Sequence, residues 1–200
     1  MRRRLPRYKG KLIAIEGIDQ SGKRTQTQLL AKKLRAMGRP TSTWSFPDYT
    51  TPLGRQLKNY LRGRRLDFHA VHLLYAANKW ERARQLTAEL ERGRAVVVNR
   101  YTPSNLAYGV AHGLPLSWLL SLEKGLPTPD IVLVLDITPK TSFKRKESRR
   151  DIHEENLQYL TKVRRAYLKL AKMYKWSILD ANRDRVTVHA NIWRVTAELL

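Results

Sequence analysis

Cysteine is absent from the 200 residues, which excludes disulfides and thiolate metal sites while leaving the redox compartment open. Acids are scarce: 17 Asp and Glu stand against 39 Lys and Arg, for a formal net charge of +22. No apolar run approaches the roughly 18 residues of a membrane span. The basic start MRRRLPRYKGK is not followed by an apolar segment of the roughly 7–15 residues a secretory signal needs, so it does not read as one, and the cytoplasm is the default expectation. Internal repeats, low-complexity tracts and long linkers are also missing. With 42% hydrophobic residues, the expectation is one globular domain over 1–200 with a full core.

The charge imbalance favours polyanionic partners, namely nucleotides, nucleic acid or anionic surfaces. A solvated basic surface with no specific partner would account for it too. Two clusters stand out: Arg2, Arg3, Arg4, Arg7, Lys9 and Lys11 at the start, and Lys144, Arg145, Lys146, Arg149 and Arg150 further on.

Short apolar runs alternate with helical patterns. LIAI (12–15), STWSF (42–46), AVVV (95–98), IVLVLDI (131–137) and SIL (177–179) are unbroken enough to be buried strands of a parallel sheet. Between them, Leu30, Leu34 and Met37 keep helical spacing up to Gly38, and a long helical pattern runs from an N-cap at Asp67 to Gly93. Strand–helix alternation of this kind predicts an α/β sandwich with ligands at the carboxyl ends of the strands.

The stretch IAIEGIDQSGKRTQTQLL (13–30) places a phosphate-binding motif in that setting. The pattern G-x-x-x-x-G-K-[ST] finds its first three fixed positions in Gly17, Gly22 and Lys23, preceded by a strand and followed by a helix. Backbone N–H groups of Ile18, Asp19, Gln20 and Ser21 then converge on a helix N-terminus that favours anions, and Lys23 aims a point charge at the β/γ-phosphates. The last position should carry a hydroxyl for a metal, but it is Arg24, with Thr25 one place late. Either Thr25 takes over part of that contact, or Mg2+ is held mostly by water and phosphate oxygens.

Other residues admit two readings each. Tyr75 and Lys79 are four apart, so a helix gives them one face that can offer a stacking plane beside a cationic donor; Tyr75 as ordinary core with a solvated Lys79 is the alternative. Asp136 at a strand end resembles a Walker-B-type magnesium ligand, yet DITP also reads as a turn into a helix with Thr138 as N-cap and Pro139 at its first position, and this second reading is preferred. His69 and His72 share a helical face, an arrangement that metal sites use, but no third ligand has suitable spacing, so they read as ordinary histidines.

The order of motifs resembles the thymidylate kinase family nearly end to end. Its opening E-G-x-D-x-x-G-K-x-T-Q is matched by Glu16, Gly17, Asp19, Gly22, Lys23, Thr25 and Gln26, and further matches are FPDYTTPLG (46–54), LLYAANKWE (73–81), NRYTPSNLAYG (99–109), GLPTPDIVLVLD (125–136), RRDIHEENLQYL (149–160) and ILDA (178–181). The resemblance implies a P-loop kinase fold, a three-layer sandwich with a five-stranded parallel sheet, and transfer of a phosphoryl group from ATP to dTMP in pyrimidine deoxynucleotide biosynthesis. It implies that ATP meets Gly17 through Thr25, Arg145, Asp180 and Ala181. Acceptor-side matches are Asp19, Phe46, Tyr49, Tyr75 (stacking on thymine), Lys79 (where an arginine commonly bonds the base O4), Arg100 (acceptor phosphate), and Ser104, Asn105 and Tyr108 (base edge and 2′ position). Lys23, Asp19, Arg100, Arg149 and Arg150 stand where the family has its catalytic groups, and Asp19 and Thr25 are the candidate metal contacts. A mobile lid over ATP is implied near 144–153, and a homodimer whose interface uses the 67–92 helix. Nucleic acid is not required.

Departures from the family concentrate around metal and phosphates. The aspartate of its D-R-Y/H motif is Asn99, the loop arginine of some members is Gln20, which shifts the burden to the lid, and Asp48 follows Phe46 and Pro47 where an arginine often stands. These changes permit an impaired kinase, and the alternative reading is a catalytically weak P-loop protein whose basic surface binds nucleic acid.

Overall fold

The computed structural model describes residues 8–145 and 157–199. The N-terminal basic cluster up to Arg7, and Arg149 and Arg150 with most of the segment expected as a lid, lie outside the described residues. Lys9, Lys11, Lys144 and Arg145 lie inside them.

Five parallel strands form one sheet: β1 (Lys11–Glu16), β2 (Thr41–Ser45), β3 (Ala95–Asn99), β4 (Ile131–Asp136) and β5 (Ser177–Asp180), in spatial order β2-β3-β1-β4-β5. The central strands are near-continuous apolar runs because helices cover both faces, so no alternating polar face is needed. Leu12–Ile15, Val96–Val98 and Leu133–Leu135 are accordingly buried, and they join one hydrophobic core cluster. The fold is the P-loop kinase fold expected, and strand ends differ from the sequence reading by about one residue, as end assignments do. Phe46, expected inside β2, lies just past it, although its N–H still donates to Asn99 O at 3.0 Å.

The helices are α1 (Lys23–Ala36), α2 (Pro52–Leu61), α3 (Phe68–Glu91), α4 (Thr102–Ala111), α5 (Leu116–Glu123), α6 (Pro139–Lys144), α7 (Leu157–Tyr174) and α8 (Arg185–Ala197). Their starts carry the expected chemistry. Asp67 caps α3 by accepting from His69 N–H, and Thr138 caps α6 by accepting from Thr141 N–H with Pro139 at the first position. Asp136 is held by two bonds from Arg164, at 2.7 and 2.8 Å, in keeping with the structural reading preferred for it. None of the described helices is long and apolar enough to cross a membrane.

The chain leaves β1 for the β2 side of the sheet, returns at β3 and crosses to β4, so β1 stands where the winding changes direction. Crevices at such a switch point are where open α/β sheets bind ligands. The loop after β3 is laid against the end of β1 by the bond from Arg100 N–H to Ile15 O, 3.0 Å long. Phosphate loop and motif NRY thereby become neighbours.

Candidate active site

The phosphate loop runs from Glu16 to Lys23. Gly17 has φ 136°, and a Cβ there would meet Leu135 O at 2.5 Å, so no other residue type fits where the loop crosses β4. Gly22 caps α1 in a left-handed conformation. Lys23 is 7% exposed, and its Nζ folds back to donate to Ile18 O (2.7 Å) and Ser21 Oγ (3.4 Å), closing the loop around its own charge. Arg24 and Thr25 are exposed on the first turn of α1. On the far side, Arg145 donates to Gln20 O (3.2 Å) and to Ala181 O (2.9 Å), tying the loop to the turn at Asp180 and Ala181. The described residues expected around ATP are thus contiguous.

Behind the loop lies a carboxylate–guanidinium network. Arg100 donates to Asp19 Oδ1 (2.5 Å), Tyr108 OH (3.1 Å), Gly17 O (3.2 Å) and Ser104 Oγ (3.3 Å), and Tyr108 OH donates to Asp19 Oδ2 (3.0 Å). Burial pushes the Asp19 carboxyl up, but the charges of Arg100 and Lys23 and the bonds from Tyr108 and Arg100 outweigh it and hold it well below the usual carboxylate range. Burial also raises Tyr108, so its hydroxyl stays protonated. Glu16, fully buried at the end of β1, accepts from Tyr101 N–H (2.7 Å), Ser104 Oγ (2.6 Å) and Tyr167 OH (2.9 Å). Arg100 itself has φ 62°, a left-handed backbone uncommon outside glycine, which these fixed partners hold in place.

All nine residues expected on the acceptor side line one cleft: Asp19, Phe46, Tyr49, Tyr75, Lys79, Arg100, Ser104, Asn105 and Tyr108. Pro47, Leu61 and Tyr101 complete it and went unnoticed in the sequence, although two of them sit inside quoted motifs. Tyr75 is half-buried at the cleft wall, and Lys79 is 3% exposed, donating to Tyr75 O (2.8 Å) and paired with Glu123 (3.0 Å). The solvated lysine considered as an alternative is therefore absent.

Asp48 does not bring a loose negative charge to the cleft. Its carboxylate accepts from Arg82 Nε (2.8 Å) and from Thr50, while Asn78 clamps the same turn through Asp48 N–H (2.8 Å) and Thr51 Oγ1 (2.8 Å). Gly54 lets α2 begin on top of this turn, since a Cβ there would lie 1.8 Å from Asp48 O. Arg82 and Asn78 were missed in the sequence because their partners are about thirty residues away. His69 is exposed against Asp67, whereas His72 is wholly buried between Asn105 and His112.

Mg2+ finds no open carboxylate among Asp19, Asp136 and Glu16. Asp19 is engaged by Arg100 and Tyr108, Asp136 by Arg164 and Glu16 by three donors. The hollow beside the loop is lined by Arg24, Thr27, Gln28, Thr43, Trp44, Ser45 and Asn99, with a guanidinium and no carboxylate. Among the described residues no group of three or more His, Cys, Asp or Glu is arranged to hold a metal ion.

Strand, glycine loop, buried lysine and a cleft at the switch point define a P-loop nucleotide phosphotransferase. The model of the thymidylate kinase family matches residues 15–192. A thymidylate kinase of Arabidopsis thaliana is 36% identical over 191 residues, covering 95% of this chain and 72% of that protein, and one of Homo sapiens is 34% identical, covering 95% and 91%. Among solved structures, a thymidylate kinase from Candida albicans superposes with a TM-score of 0.85 at 32% identity, covering 94% of this chain and 92% of that one. The chain belongs to the thymidylate kinase family. Neither the cleft nor these relatives favour the nucleic-acid-binding alternative.

Proposed function

We infer that the chain, acting as one domain, transfers the γ-phosphoryl group of ATP to the 5′-phosphate of dTMP, giving ADP and dTDP. The observation that supports this reading is the meeting of loop and cleft at one ion pair, Asp19 with Arg100; in this reading donor and acceptor phosphates face each other across it. Phosphoryl transfer asks little covalent chemistry of the protein and much positioning and charge stabilisation.

In this reading Lys23 and the loop N–H groups hold the β- and γ-phosphates, and Lys23 gains most as charge spreads over the transferring oxygens. Arg100 supplies its charge to the acceptor phosphate while Gly17 O, Ser104, Asp19 and Tyr108 hold the two ends of its fork, so the guanidinium is oriented before the substrate arrives. Tyr75 stacks on the base, Lys79 and Asn105 read its edge, and Tyr108 crowds the sugar. Arg145, by closing the loop onto the turn at Ala181, shapes the adenine side. Mg2+ enters as the partner of ATP, through phosphate oxygens and water, in keeping with this ion's reluctance to dehydrate.

A homodimer and a cytoplasmic location belong to the same reading. Leu73 and Trp80, one heptad apart on α3 and 48% and 45% exposed, support α3 as the interface.

A coupled assay of ADP release tests the function. Saturable release that requires dTMP, and is small with dAMP, supports it; ADP release indifferent to the monophosphate added would refute it.

A further inference from the structure

Asn105 lies 3% exposed on α4, and its amide is pinned from two sides. Its Nδ2 donates to Glu123 Oε1 (2.7 Å) and to His72 O (3.2 Å), which consumes both hydrogens. A carboxylate and a backbone carbonyl can face only the NH2 end, so the orientation of this amide is not ambiguous. The Oδ1 end meets His72 Nδ1 at 2.7 Å, which makes that ring nitrogen the donor and leaves Oδ1 one lone pair. Whatever Asn105 offers to a ligand is therefore an acceptor.

Lys79 is constrained in the opposite sense. Its ammonium donates to Tyr75 O (2.8 Å) and is ion-paired with Glu123 Oε1 at 3.0 Å, and having no lone pair it can offer a ligand only a donor. The polar edge of the cleft is thus one donor beside one acceptor. It complements a ring carbonyl next to a ring N–H, the 4-keto and 3-N–H groups of thymine or uracil. Cytosine presents the reverse, an amine against the ammonium and a lone pair against Asn105 Oδ1.

We propose that His72 and Glu123, neither of which lines the cleft, are positioning residues that fix this polarity and thereby make the enzyme select keto pyrimidines over amino pyrimidines. The inference rests on the kinase reading given above. Glu123 acts on both readers at once, because Lys79 and Asn105 share its Oε1. His72 supplies the second constraint from α3, held in turn by His112 Nδ1 at 2.9 Å from its Nε2. With Glu123 neutral or His72 without a donor, the amide can turn its NH2 end to the ligand, and a mismatch that cost an unpaired buried group no longer does.

The test compares kcat/KM for dTMP and dCMP in the wild-type enzyme and in Glu123→Gln, His72→Leu and His72→Asn. Glu123→Gln and His72→Leu are expected to lower the dTMP:dCMP ratio at least about tenfold, with KM for ATP within about twofold of wild type. His72→Asn, whose amide N–H can stand where Nδ1 stood, is expected to keep a ratio nearer wild type. A folded Glu123→Gln enzyme that loses rate on both nucleotides equally would overturn the inference, since support of the fold alone predicts that result. Should His72→Leu fail to fold, the isosteric Glu123→Gln decides. A wild-type enzyme that turns over neither nucleotide refutes the kinase reading and this inference with it, whereas dTMP turnover with an unchanged ratio in the variants refutes only the inference.

Discussion

The phosphate loop and the acceptor cleft touch at Asp19 and Arg100 yet are built by opposite means. The loop is eight consecutive residues whose ligand groups are backbone N–H and one lysine, so its shape follows from two glycines and the helix after them. The cleft draws side chains from the loop, the turn after β2, α2, α3, the turn after β3 and α4. A loop made of backbone keeps its ligand groups whatever most of its side chains are, whereas a cleft made of side chains depends on the bonds that hold each in place. Substitutions should therefore divide: loop changes act on turnover, cleft changes on acceptor recognition.

Lys23→Ala should give the largest effect, a fall in kcat of at least about a hundredfold with the melting temperature little changed, because a charge aimed at the transferring oxygens is worth several kcal/mol there. Near-normal turnover would break the comparison on the loop side.

Tyr75→Ala and Asn105→Ala should raise KM for dTMP about tenfold, in line with base stacking worth about 1–3 kcal/mol for the ring and a buried hydrogen bond worth about 1–3 kcal/mol for the amide, while KM for ATP moves less than about twofold. Initial rates over a grid of both substrates decide this. Equal shifts in both constants would mean that loop and cleft do not divide the work.

A smaller effect is expected of Asn99→Asp. It returns a carboxylate to a hollow that has a guanidinium and none, and an ionised side chain attracts hydrated Mg2+ better than an amide. The Mg2+ concentration for half-maximal activity should fall a few-fold, on the order of what one added charge near a cation gives. An unchanged or higher requirement would show that this corner has been rebuilt around the amide.

The smallest effect concerns stability in acid. The Asp19 pKa is depressed in the folded state, so its contribution is fully present above the unfolded value of about 4 and is lost as pH falls toward the folded one. Between the two values the unfolded chain binds more protons, and stability rises with pH. Asp19→Asn should flatten the melting-temperature profile below about pH 4 and leave its slope above that pH unchanged. A profile that keeps its acid limb would assign the limb to other carboxylates.

The same division explains what could be read from the sequence. The sheet, the caps at Asp67 and Thr138 and the loop are local patterns, and they were legible to within a residue or so. Cleft residues were legible through motifs, but their partners were not. Glu123 reaches Asn105 from 18 positions away, and Arg82 neutralises Asp48 from 34, distances over which periodicity carries no information. Asp48 accordingly read as a misplaced charge, and His72 as an ordinary histidine. Folding supplied each with a partner that no spacing rule specifies.

Following the γ-phosphate of labelled ATP tests the central claim most directly. With dTMP present, the label should appear in dTDP, and neither Lys23→Ala nor omission of dTMP should yield it at a comparable rate. Label released as inorganic phosphate at the same rate with or without dTMP would contradict the account, because the cleft would then not be delivering the acceptor to the loop.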